Sequence, residues 1–282
     1  MKLLLTSLLL GIAGWPGAVH AQLQLVPGRE TPCRFAGQGR AIAVVWRNTG
    51  NQRFESEIRM ALFQASAATA APLGTTPWKN LEVLPGQTVM ESAKLNFPSV
   101  NAVTRFVIKW LGGADQVLGT SDVLVYPTNL LKKLISLASY EPLGIFDPQN
   151  QLKPLLKAVA VEFSDLEDAG VEDYRGKLVN AGPFQGQKQI RSGLAAQLQG
   201  VAKKGAAVVW LLPPPEREER PPDQLRPSFY SVLENTNAVV VVQPDLVADL
   251  PDNPQSQLNL IYFCKLALHP RPPALPDLSP HP

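Results

Sequence analysis

The hydrophobic pattern of this chain changes period once, near Tyr126-Pro127, and that change limits the folds open to it. Before it, apolar residues alternate with others. Ile42, Val44 and Trp46 share one side of a segment, as do Ile58, Met60 and Leu62, and later Phe106, Ile108 and Trp110. A period of two places one side of a strand against a core. Turn chemistry separates the segments: Asn48-Thr49-Gly50-Asn51, Leu84-Pro85-Gly86 and Gly112-Gly113. Leu81 and Val83, residues 89–95, and Leu118, Val123 and Val125 supply further strands. No helix is expected in residues 22–127.

After Tyr126-Pro127, strands and helices alternate. Residues 143–146 form a short apolar strand, and Asp147-Pro148 is suited to cap and begin a helix carrying Leu152, Leu155, Leu156 and Val159. Residues 160–163 and 177–180 read as strands. Residues 187–203 read as a helix with Ile190, Leu194, Leu198 and Val201 on one face and Gly205 as its stop. The unbroken apolar run at 206–212 suits a central parallel strand covered on both faces. Residues 238–242 give another, and Asn253-Pro254 opens a last helix with Leu258, Ile261, Tyr262 and Leu268. The expected architecture is two domains: an all-β sandwich over 22–127 and, after a connector at 128–142, an open, doubly wound, mostly parallel α/β sheet over 143–268. A proline-rich segment at 213–222 interrupts the second domain, and a proline-rich tail at 269–282 is expected to be disordered.

Residues 1–21 have the layout of a secretory signal peptide. Lys2 gives a positive start, residues 3–13 are almost wholly apolar, Trp15-Pro16-Gly17 breaks the helix, and small residues precede a cut between Ala21 and Gln22. The run is shorter than the roughly 20 residues a span requires, and later apolar runs are interrupted by charge or proline. The expectation is an exported chain, periplasmic or extracellular, with no membrane span after cleavage. Its 26 Lys and Arg nearly balance 24 Asp and Glu, which leaves no electrostatic case for nucleic acid. Cys33 and Cys264, the two cysteines, read as separate buried thiols; a bridge would instead staple the two domains together.

The "WRNTGNQ" turn and the "LEVLPGQTV" segment resemble immunoglobulin-like modules of exported bacterial proteins. By strand order and segment length, residues 143–268 are similar to class I glutamine amidotransferase-like modules with their flavodoxin-like sheet. That resemblance implies a Cys nucleophile on a strand–helix turn, with a later His and acid. No strand end carries a Cys, Cys264 falls within the last helix, and in His269-Pro270-Arg271 an Arg stands where the family has an acid. The resemblance therefore implies a degenerate module without the family's catalytic residues.

The remaining candidates lie at strand ends, where open α/β sheets bind ligands. These are Asp147, Asn180, Gln185, Glu216 and Gln243. Trp78, after Pro77 in a loop-like stretch, is the candidate aromatic platform for a sugar ring, whereas Trp46 and Trp110 fall in phase with core positions. The acidic stretch from Glu162 to Asp173 reads as a solvated loop. No cofactor motif or metal-ligand set is found. The function expected is noncatalytic binding or assembly in the cell envelope or outside the cell, toward carbohydrate or an envelope protein. The alternative is a carboxylate-dependent hydrolase acting on carbohydrate, with Asp147 and Glu162 around a sheet-end cleft.

Overall fold

The computed structural model of the protein describes residues 23–28, 31–39, 41–184, 190–212, 229–232, 238–242 and 246–269. The signal segment with Ala21 and Gln22, the strand-end candidates Gln185, Glu216 and Gln243, the proline-rich segment and the tail beyond 269 lie outside the described residues.

The alternating half forms eight strands: β1 (Leu23–Val26), β2 (Cys33–Phe35), β3 (Ala41–Asn48), β4 (Phe54–Ala65), β5 (Ala70–Val83), β6 (Thr88–Lys94), β7 (Thr104–Leu111) and β8 (Val117–Tyr126). They make two sheets. One has the order β1-β3-β6 and is antiparallel throughout; the other has the order β2-β8-β7-β4-β5 and is mixed, because β2 pairs with β8 in parallel. The second half supplies α1 (Lys133–Leu137), β9 (Leu143–Phe146), α2 (Lys153–Ala158), β10 (Phe163–Asp165), α3 (Leu166–Ala169), β11 (Leu178–Ala181), α4 (Leu194–Lys203), β12 (Ala207–Leu212), β13 (Phe229–Val232), β14 (Ala238–Val242) and α5 (Pro254–Leu268). Its sheet has the order β10-β9-β11-β12-β14-β13, parallel except for β13, which runs antiparallel to β14.

These sheets correct the expected fold class of an all-β immunoglobulin-like sandwich followed by a separate α/β domain. The described residues form three sheets, of which one is mixed and one nearly all parallel. The chain forms two compact units, each assembled from separated stretches. Among the described residues, one holds 23–28, 41–94 and 107–122, and the other holds 31–39, 95–106 and those from 123 to 269. The short β2 and the last residues of β8 thus belong with the α/β elements. Phe35 packs in the same core as Leu130, Leu131 and Leu134. The physical reason is that period-two alternation reports which face of a strand is dry, not which strand lies beside it.

In the first unit, Trp46 and Trp110 are fully buried and their rings meet edge to face at 5.6 Å. The buried Asn48 shows why the Asn-Thr-Gly turn forms. Its Nδ2 donates to Gln52 O (2.8 Å) and Val83 O (2.9 Å), and its Oδ1 accepts from Gly50 N (2.9 Å). Every polar atom of this buried amide has a partner, as burial requires. At the edge of the five-stranded sheet, β5 carries Pro72, Gly74 and Pro77 in a stretch exposed from Ala70 to Pro77. Proline withholds a donor from the open edge, which discourages strand addition.

In the second unit, apolar side chains cover both faces of the six-stranded sheet. Leu143, Ile145, Leu178 and Val209 join α5 in one core, while Phe146, Val179, Ala181 and Val208 join α4 in the other. This explains the continuous apolar run of β12. Asn253 caps α5 by accepting from Gln255 N (3.0 Å), with Pro254 at the first helical position. Asp147 also caps a helix, but the helix starts later than the sequence suggests. A turn intervenes, and α2 begins at Lys153. Helix α4 begins only at Leu194, behind Gly193 at φ +83°.

Candidate functional site

Strand order reverses between β9 and β11, because the connection from β9 runs to β10 on one side while β11 and β12 follow on the other. The helices α2 and α4 pack on opposite faces of the sheet, the arrangement at which open α/β sheets place ligands. Asp147 follows β9 directly and Gly182 follows β11; Gly182 N donates to Phe146 O at 2.7 Å. Phe184 packs against Phe146 with 6.2 Å between ring centroids, and the Arg191 guanidinium lies 4.9 Å from the Phe146 ring. Phe146 and Phe184 are themselves buried in the core beneath α4, so these rings pack inside the fold.

Asp147 is fully buried, and its Oδ2 accepts from Leu152 N (2.7 Å) and Lys153 N (3.0 Å). Its own N–H donates to Glu167 Oε1 at 3.0 Å. Lys153, which the sequence reading passed over, is the centre of the charge network. Its Nζ lies 2.6 Å from Asp165 Oδ2 and 2.7 Å from Glu167 Oε1. Burial alone would lower the Lys153 pKa, but hydrogen bonds and charge from Asp165 and Glu167 outweigh it and raise the value. Burial would likewise raise Asp165, yet the Lys153 hydrogen bond, the Glu167 amide and the nearby Lys153 and Lys157 charges hold it below the usual carboxylate range. Asp165 also caps α3 through Glu167 N at 3.1 Å. Two members of the supposed solvated acidic stretch therefore work inside the fold.

Asn180, in β11, is fully buried and its Oδ1 faces Cys264 Sγ at 3.6 Å. Burial pushes the Cys264 thiol up to about 12, and the hydrogen bond it donates to Asn180 Oδ1 opposes this only in part. A thiol held protonated in this way is a packing group, since the thiolate is the reactive form. No disulfide joins Cys33 and Cys264. Glu162 sits beside Leu143, at the amino end of β9, where its carbonyl accepts from Leu143 N. Asp147 is at the other end of that strand, so the two carboxylates do not share a cleft. Trp78 lies within β5 and is half-buried, with its ring 5.0 Å from Trp110 and 6.5 Å from Trp46. The structure places it in an aromatic cluster, where the sequence suggested a loop. Among the described residues, no group of three or more His, Cys, Asp or Glu is placed to hold a metal ion.

No family model matches the sequence, and no curated protein matches it. Solved structures share only partial likeness. An alkylpurine DNA glycosylase, AlkC, from Pseudomonas fluorescens matches at TM-score 0.29 and 10 % identity over 38 % of this chain and 31 % of that one, so the chain spans under a third of that protein. A Niemann-Pick type C2 protein from the Japanese carpenter ant matches at 0.29 and 6 % identity, covering 38 % of this chain and 89 % of that one. The chaperone–tip adhesion subunit complex CsuC-CsuE of Acinetobacter baumannii matches at 0.28 and 15 % identity, covering 44 % and 70 %. Likeness at this level carries no argument about this chain. Among the described residues, no helix is long and apolar enough to cross a membrane.

A concavity lies at the amino ends of β9 and β11. It is about 410 Å³ and is lined by residues that lead into β9 and β11 and by β10 and α3.

Proposed function

We propose that this is an exported, noncatalytic binding or assembly protein of the cell envelope or extracellular space, directed at carbohydrate or at another envelope protein. The observation that carries the reading is the state of the charged groups at the carboxyl edge. Asp147 Oδ2 is taken by two backbone amides, and Lys153 Nζ is shared between Asp165 and Glu167. A general acid or base must come within hydrogen-bond reach of a substrate proton. A buried helix cap and a doubly paired ammonium are committed to the fold instead.

The test is a combined substrate and glycan screen on the protein. Retention of a glycan or an envelope protein without turnover is expected. Turnover that is lost in Asp147→Asn, with the variant still folded, overturns the noncatalytic reading in favour of the hydrolase.

A further inference from the structure

We infer that the concavity at the amino ends of β9 and β11 is a saccharide-binding subsite, with Tyr140 as its stacking face and Glu141, Asp173 and Arg175 as its hydrogen-bonding rim. The inference rests on the binding reading above and gives it a location and a ligand class. The cleft of about 410 Å³ falls within the usual range for small-ligand sites, roughly 300–1,000 Å³. Pro142, Leu166 and Ala169 line it with apolar groups, and Glu141, Ser164, Asp173 and Arg175 add polar ones.

Tyr140 is 81 % exposed and immediately precedes Glu141 of the rim. It is held in place there. Ser139 and Tyr140 both adopt the left-handed region, at φ +56° and +64°. Tyr140 N donates to Ile135 O (2.9 Å) and Glu141 N to Ala138 O (3.1 Å), which closes the end of α1. Lys177 Nζ donates to Ser139 Oγ at 3.0 Å and ties this turn to the segment that forms the facing side of the cleft. A helix terminus of this kind asks for a left-handed residue, normally glycine or asparagine. It does not ask for an aromatic ring. Tyr140 is exposed one residue before Glu141 of the cleft lining, in a backbone conformation that favours smaller residues, and stacking on the apolar face of a sugar would give its ring a use.

The facing segment is equally fixed. The Tyr174 hydroxyl is within hydrogen-bond reach of Pro142 O (2.9 Å) and Leu178 O (3.0 Å). Gly176 leaves room for it, because a side chain there would run into the Tyr174 hydroxyl. Arg175 Nη1 donates to Glu172 O (2.9 Å) and Tyr174 O (3.1 Å), so its guanidinium is anchored at the rim. The rim combines two carboxylates with one guanidinium, and Lys177 and Lys204 lie on its flank, the latter donating to Glu172 O at 3.2 Å. Mixed charge of this kind does not select a simple anion or cation. It suits a neutral polyhydroxyl ligand, whose hydroxyls donate to carboxylates and accept from a guanidinium.

The experiment measures binding of maltohexaose, laminarihexaose and chitohexaose to the full chain by saturation-transfer NMR and calorimetry. One of these binds, Tyr140→Ala weakens it by about tenfold, Tyr140→Phe retains it, and the exposed Tyr262→Ala control matches the unaltered protein. Asp173→Asn weakens it as well. Binding that survives both Tyr140→Ala and Asp173→Asn overturns this cleft as the site and leaves the binding reading standing. Absence of binding to all three sugars overturns the saccharide assignment. Cleavage of any of them overturns the noncatalytic reading itself.

Discussion

Replacing Lys153 with methionine tests the charge network at the carboxyl edge directly. The Lys153 side chain is 10 % exposed and meets two carboxylates that are 33 % and 30 % exposed. Methionine keeps the apolar stem and removes the ammonium. The Asp165 and Glu167 carboxylate oxygens, each within 2.7 Å of the same nitrogen, are then no more than about 5 Å apart, where like charges repel by roughly 1 kcal/mol in water and about 3 kcal/mol at an effective dielectric of 20. Their partial exposure places the repulsion toward the lower figure. Adding the loss of two charge-assisted hydrogen bonds, less the removed cost of burying an ammonium, gives a destabilisation of about 2 kcal/mol at pH 7. The pH dependence follows from the shifts. Asp165 is depressed, so its contribution is complete above the usual carboxylate value and is lost as pH falls through the lower folded one. Lys153 is raised, so its contribution is complete below the usual lysine value and is lost as pH rises through the higher folded one. Urea unfolding followed by circular dichroism should therefore show the full difference between the two proteins at pH 7, most of it still at pH 4, and a clearly smaller one at pH 2, below the depressed Asp165 value. An equal difference at pH 7 and pH 2, or a Lys153→Met protein more stable than its parent at pH 7, would refute the electrostatic account.

Three further outcomes are expected. Asp147→Ala leaves the Leu152 and Lys153 amides without their acceptor and lowers stability by about 2 kcal/mol, measured by the same unfolding assay, while Asp147→Asn costs about half as much. Asn48→Ala removes the buried amide that holds Gln52, Val83 and Gly50, at a cost of about 3 kcal/mol, and hydrogen exchange at Gly50 accelerates with it. In the folded protein Cys264 resists a thiol reagent at pH 8 and reacts only after unfolding, as mass spectrometry of the labelled peptides will show.

Particular residues show how far the sequence carries. Alternation at Ile42, Val44 and Trp46 or at Phe106, Ile108 and Trp110 marks buried faces because a pleated strand has only two sides, and all six are buried. Strand partners are not written in that pattern. Three residues of β2 carry no legible period, and their parallel pairing with β8 decides that the sheet is mixed. The first part of β5, from Ala70 to Thr76, is built of Ala, Pro, Leu, Gly and Thr; it is a strand because its backbone pairs with β4, not because its side chains alternate. At the site, Asp147 was legible as a cap, but its reach to Lys153 across an intervening turn was not. Lys153, Tyr140 and Arg175 were missed because a lysine at a helix start, a tyrosine in a turn and an arginine before a strand have no spacing that distinguishes a task from a solvated surface. The one available signal was the apolar strand following Tyr174-Arg175-Gly176, which places those residues at a sheet end.

The parallel pairing of β2 with β8 has a consequence for how the chain acquires its structure. Cys33 lies opposite Leu124 and Phe35 opposite Tyr126, so an early segment waits for some ninety later residues before its ladder can form. Phe35 then needs Leu130, Leu131 and Leu134 to complete its surroundings. Closure of so long a loop costs chain entropy before any contact offsets it. A fragment ending at Tyr126 would hold β2 with its sheet partner but without its core, and one beginning at residue 128 would hold the core without Phe35. The order in which the chain is written is therefore not the order in which it can fold, and cutting it in the middle severs a cooperative unit.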